Sequence, residues 1–144
     1  MKKFLSVLTA SLMLISTSLA LCSCSGTASE SGSDDEFIVG AIYINGQNDV
    51  AGYTYAHNKG ITTAMENLGL STTDNLKIVD NVPEDDVQVK AAIDQLAGQG
   101  CDIIFGISFG YLNAMDEAAK EYPDIVFSHA TGYLCNDTNF NNYF

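Results

Sequence analysis

The stretch FIVGAIYINGQNDVAGYTYAH, Phe37 to His57, decides the fold. It opens with an apolar run, Phe37-Ile38-Val39-Gly40-Ala41-Ile42-Tyr43-Ile44, in which polar residues do not alternate. Such a run predicts a strand buried on both faces, as in the middle of a parallel sheet. A polar loop bearing glycines follows, Asn45 to Gly52, and a helix is expected to begin near Tyr53. Strand, polar loop and helix start make a ligand site in open α/β sheets, because the loop sits at the carboxyl end of a central strand.

Outward from this stretch the pattern repeats. Ile61, Ala64, Met65 and Leu68 recur at helical spacing, and Gly69 is a stop signal. Leu76-Lys77-Ile78-Val79 reads as a second strand. Pro83-Glu84-Asp85-Asp86 reads as a helix start, with acidic residues where the helix dipole favours them. Val89, Ala92, Ile93, Leu96 and Ala97 give the clearest apolar stripe, closed by Gly98 and Gly100. Asp102 to Ile107 is a third strand. Its loop, Ser108-Phe109-Gly110, leads to a third helix with Tyr111, Ala114, Met115, Ala118, Ala119 and Tyr122 on one face, stopped by Pro123. Ile125-Val126-Phe127 is a fourth strand, His129 to Tyr133 the loop after it, and Tyr143-Phe144 the opening of a further strand after an Asn/Asp-rich tail. Strand and helix therefore alternate, which predicts an α/β three-layer sandwich: a parallel sheet with right-handed crossovers and helices on both faces.

The chain has 144 residues, enough for one domain with a real core. Eighteen acidic residues against six lysines and no arginine give a formal charge of −12, which argues against a nucleic-acid partner. Residues 1–24 read as an export signal: Lys2-Lys3, then a mostly apolar run from Phe4 to Leu21. Leu21-Cys22-Ser23-Cys24 resembles a bacterial lipoprotein box. Cys24 is the expected lipidation site, because a small residue precedes it whereas bulky Leu21 precedes Cys22. Residues 25–36, rich in Ser, Gly and acid, read as a flexible tether from a membrane anchor. Cys101 opens a strand and reads as a small buried hydrophobe; a disulfide to Cys135 stays open.

Topology gathers the loops Asn45–Gly52, Ser108–Gly110 and His129–Tyr133 on one edge. They hold hydroxyls, a carboxylate, aromatics and glycines but no cation, a set suited to a neutral polar ligand with a flat face. Each residue also has a plainer reading. Asp49 or Ser108 could serve only as a helix cap; one of Tyr53 and Tyr55 packs inward; His57 makes a structural hydrogen bond; Phe109 and His129 pack. No nucleophile elbow, phosphate-binding loop, dinucleotide fingerprint or metal-spaced His pair is present, so no enzyme, cofactor or metal is expected.

With these residues in order, the chain resembles the basic membrane protein family of purine- and nucleoside-binding lipoproteins that serve ABC importers. The resemblance is carried by Val39 to Ile44; by Asp49 with Gly52-Tyr53-Thr54-Tyr55-Ala56-His57; by Asn81-Val82-Pro83-Glu84 and Gln95-Leu96-Ala97; and by Ser108-Phe109-Gly110-Tyr111, Pro123 to Phe127 and His129-Ala130-Thr131-Gly132-Tyr133. It implies a type I periplasmic-binding-protein fold, with residues 37–144 as a truncated first lobe. It also implies a purine base or nucleoside held between two lobes, with permease and ATPase partners. The site residues it implies are Asp49 as a hydrogen-bonding carboxylate and Tyr53 as a stacking ring. Thr54, Ser108, Phe109, Gly110, Tyr111, Thr131 and Gly132 would line the wall. Two alternatives stand beside it: a sugar or signalling ligand on the same fold, and a surface lipoprotein without a transport role.

Overall fold

A computed structural model describes residues 36–144. The expected export signal, Cys24, and all of the tether but Glu36 lie outside the described residues. Five strands and three helices follow among the described residues in the expected alternation: β1 (Val39–Tyr43), α1 (Gly52–Asn67), β2 (Leu76–Val79), α2 (Asp86–Gly98), β3 (Ile103–Ile107), α3 (Leu112–Glu121), β4 (Val126–Ala130) and β5 (Phe140–Tyr143). A short 3-10 turn, Phe109–Tyr111, leads into α3. The strands form one parallel sheet in the order β2-β1-β3-β4-β5.

This order dictates where the helices go. The chain steps from β1 outward to β2, then returns past β1 to β3 and continues to β4. Right-handed crossovers in opposite directions must lie on opposite faces. Accordingly Ile61 and Met65 of α1 pack with Val39, Ala41, Tyr43, Leu76 and Ile107 on one face. On the other, Val89, Ile93 and Leu96 of α2 and Met115 and Ala118 of α3 pack with Ile42, Ile104 and Phe127. All five residues of β1 are buried, which is why its sequence runs apolar without alternation.

Local chemistry closes the elements. Asp85 caps α2, its carboxylate accepting the Gln88 amide hydrogen at 3.0 Å. Gly69 and Gly100 follow α1 and α2 with φ of 76° and 77°, the left-handed conformation that ends a helix at little cost only for glycine.

Two boundaries differ from the sequence expectation. β4 runs on through His129 and Ala130, which the sequence pattern puts in the following loop. The His129 ring is buried because its Nε2 meets the Ser108 carbonyl oxygen at 2.8 Å, a partner that sequence cannot supply. The Asn-rich tail is ordered: Asn136 Oδ1 accepts from the backbone N–H of Thr138, Asn139 and Phe140, turning the chain into β5. Cys101 is buried and Cys135 exposed, and both are free thiols, so no disulfide joins them. Burial pushes the Cys101 thiol up to about 11.

Candidate functional site

The candidate site is the edge at the carboxyl ends of β1 and β3, where the chain leaves toward opposite faces of the sheet. The loop after β1 is tied down by its neighbour. The Gln47 N–H donates to Asp80 Oδ2 at 2.8 Å, and the Val82 N–H donates to the Tyr43 carbonyl at 3.0 Å. Asn81 and Thr131 have φ of 55° and 62°, the two non-glycine residues with positive φ among the described residues, and both sit at this edge. For a β-branched threonine this is a strained conformation, and strain of that kind collects at functional sites. It is held by the Thr131 N–H donating to the Tyr143 carbonyl at 2.9 Å and by its hydroxyl donating to the Ala130 carbonyl.

Asp49 is exposed and does not cap α1. The N-cap is Ala51, with no side-chain hydrogen bond, and the Asp49 carboxylate has no hydrogen-bond partner among the described residues. Tyr53 is 40% exposed; its ring packs on His57 at 4.3 Å between centroids and its hydroxyl lies 3.4 Å from Thr131 Oγ1. Phe109 is exposed and lies 6.4 Å from the ring of Tyr133, also exposed. Sequence does not single out Tyr133 as a contact, because one aromatic in a polar loop carries no signal until its neighbour is known.

Four residues expected from sequence to line the site, Thr54, Ser108, Tyr111 and Gly132, are buried. Thr54 is 1% exposed, its Oγ1 without a partner among the described residues, because helical phase points it at the sheet. Tyr111 is fully buried, its hydroxyl donating to the Val82 carbonyl, so it braces the β2 loop from below and is not part of the surface. Burial raises its phenol pKa, so it stays a neutral donor. Ser108 is also buried; its hydroxyl donates to Glu84, as does the Gly110 N–H at 2.8 Å. Sequence presents Glu84 only as part of a helix start. With Asp85 serving as the cap, Glu84 is free to reach across to the β3 loop.

Beneath the edge, Gly132 lies over His129 and Asn142. His129 Nδ1 and Asn142 Oδ1 have no hydrogen-bond partners among the described residues. Burial lowers the His129 pKa, so the ring is neutral at pH 7.

A second concavity runs between α1 and the sheet. A furrow of about 340 Å³ is lined by His57, Ile61, Phe105 and Tyr143. Its lining is mostly apolar, and two of its side-chain polar atoms satisfy each other, His57 Nδ1 lying 3.0 Å from Tyr143 Oη. It therefore offers little to orient a polar ligand, and the edge is the better candidate site.

The family model for the Bmp family, ABC transporter substrate-binding proteins that are PnrA-like, matches residues 37–144, and the chain belongs to that family. It is 36% identical over 106 residues to a purine-binding protein of Brucella abortus, covering 72% of this chain and 29% of that protein. It is 36% identical over 92 residues to a Haloferax volcanii protein named as a putative ABC transporter glucose-binding protein, covering 64% and 22%. The chain thus spans less than a third of the length of either curated relative. Solute-binding proteins of ABC transporter systems from Conexibacter woesei and Aeropyrum pernix share the fold, with TM-scores of 0.56 and 0.59. Their identities are 21% and 17%, over 74% and 75% of this chain and 34% and 28% of theirs. The α/β three-layer, type I periplasmic-binding-protein fold expected from sequence is the fold observed. Among the described residues no helix is long and apolar enough to cross a membrane.

Proposed function

We propose that this chain belongs to a lipid-anchored solute-binding protein of an ABC importer, that its ligand is a purine base or nucleoside, and that it catalyses no reaction. The observation that carries the reading is the edge itself. The unpartnered Asp49 carboxylate and the exposed rings of Phe109 and Tyr133 lie at this edge on segments that hold no lysine or arginine, and the exposed ring of Tyr53 lies in the first turn of α1. A purine offers a flat face for stacking and N–H groups for a carboxylate to accept. The name of the Brucella abortus relative supports the same ligand class. Closure of a second lobe over this edge would exclude water and strengthen the hydrogen bonds. Lipidation at Cys24 and the tether over residues 25–36 would hold the domain at the extracytoplasmic membrane face, beside its permease and ATPase.

The second reading, a sugar ligand, is favoured by one observation, the glucose-binding name of the Haloferax volcanii relative. Melting curves of the natural full-length chain with adenine, guanine, adenosine, guanosine, inosine, ribose and glucose separate the two. A ligand at a hundred times its Kd adds about 2.7 kcal/mol of stability. A rise with a purine and none with ribose or glucose is expected. A rise with glucose alone, or with no compound, contradicts the purine assignment.

A further inference from the structure

Glu84 does more than start a helix. Its side chain lies across Gly110 so closely that a Cβ on that glycine would stand 2.6 Å from Glu84 Cβ, Cγ and Cδ. One carboxylate oxygen, Oε1, accepts both the Ser108 hydroxyl and the Gly110 N–H. Those two donors, Ser108 first, hold the carboxyl below its ordinary value, so it is ionised at neutral pH. Oε2 makes no hydrogen bond among the described residues, and the residue is exposed. The loops after β1 to β4 (residues 44–51, 80–85, 108–111 and 131–139) contain no lysine or arginine that could offset this charge. Two donors of the β3 loop, the Ser108 hydroxyl and the Gly110 N–H, are thus already taken by an anion belonging to the chain.

We propose that Glu84 is a specificity-determining residue of the edge site: its carboxylate, pinned on Ser108 and Gly110, makes the site accept neutral ligands and reject their phosphorylated forms. The proposal rests on the edge being the ligand site, and it deepens that reading by naming the charge class admitted. A phosphate brought to this wall meets a fixed negative oxygen and finds no free donor at Ser108 or Gly110. A neutral ligand meets an oriented acceptor in Oε2. Discrimination by an occupied donor pair and a like charge is specificity through repulsion of the rejected ligand.

The test uses the natural full-length chain and its Glu84→Gln and Glu84→Ala variants, titrated calorimetrically with two matched pairs. One pair is guanosine and guanosine 5′-monophosphate; the other is glucose and glucose 6-phosphate. The wild type is expected to prefer the neutral member by about a hundredfold or more. Glu84→Gln keeps the shape and an acceptor oxygen while removing the charge, so the preference should fall at least about tenfold, and the phosphorylated member should gain affinity. Glu84→Ala also frees the Ser108 and Gly110 donors and should narrow the gap further. A purely structural role would weaken both members of a pair alike and leave the ratio unchanged, and that result overturns the proposal. Binding of the glucose pair alone removes the purine assignment while still reading the Glu84 ratio. Binding of neither pair overturns both.

Discussion

Replacing Asn139 by alanine is expected to cost about 3–5 kcal/mol, the sum of several buried acceptors losing their donor at about 1–3 kcal/mol each. The Asn139 side chain is nearly buried, and its two Nδ2 hydrogens are shared among three carbonyls: Ala119 at 3.0 Å, Tyr122 at 3.1 Å and Ile125 at 2.9 Å. Ala119 lies in the last turn of α3, where carbonyls have no partner within the helix. Tyr122 ends that helix, and Ile125 precedes β4. One amide group therefore ties the end of α3 to the start of β4, while the Asn139 carbonyl accepts the Phe127 N–H at 2.7 Å to begin the β4–β5 pairing. Asn139→Asp keeps the shape but loses the donors and turns a negative charge on the same carbonyls, so it should be at least as damaging. Urea unfolding of the natural full-length chain checks both. Either variant within about 0.5 kcal/mol of wild type, the range of an ordinary surface change, would show that water replaces this amide without loss.

Gly132→Ala should cost about 3 kcal/mol, the upper end of ordinary overpacking. A Cβ there would lie 2.2 Å from Asn142 Oδ1, 2.3 Å from His129 Nδ1 and 2.8 Å from Leu112 Cδ1. The two polar groups among these cannot simply swing away. The His129 ring is fully buried and held through Nε2 on the Ser108 carbonyl. Asn142 is held by Nδ2 on the Leu134 carbonyl. Relief must therefore break one of those bonds, and moving His129 moves Ser108, one of the two donors that hold Glu84. The expected result is a lower unfolding midpoint together with weaker ligand binding. Unchanged stability would mean that the Thr131–Tyr133 loop shifts freely, against the hydrogen bonds that pin Thr131.

Much of this architecture is legible from residues alone, and the reasons are physical. Apolar runs such as Val39–Tyr43, and stripes such as Val89, Ala92, Ile93 and Leu96, report burial directly, so β1 to β3, all three helices and the parallel order of elements follow. The glycines and the proline mark most helix ends. β5 is harder to read because its sequence, FNNY, is polar; what makes it a strand is backbone pairing with β4 and the Asn136 turn before it. At the edge, topology alone puts Asp49, Phe109 and Thr131 on segments that follow the carboxyl ends of the strands, and Tyr53 at the start of α1. It does not tell which residues of a loop face outward, since one step of helical phase separates exposed Tyr53 from buried Thr54, and two steps separate exposed Phe109 from buried Tyr111. Glu84 is hidden for another reason. Acidic residues before a helix are explained well enough by capping, and only the structure shows that Asp85 takes that role and leaves Glu84 to cross to the neighbouring loop.

The assignment of a neutral purine to the carboxyl edge of this sheet is decided by a crystal structure of the natural full-length chain with a bound purine nucleoside. The base is expected against the β1, β3 and β4 loops, with Asp49 accepting its N–H groups and an aromatic face from Tyr53, Phe109 or Tyr133 stacked on it. A base seated elsewhere, such as the furrow between α1 and Phe105, would contradict the assignment.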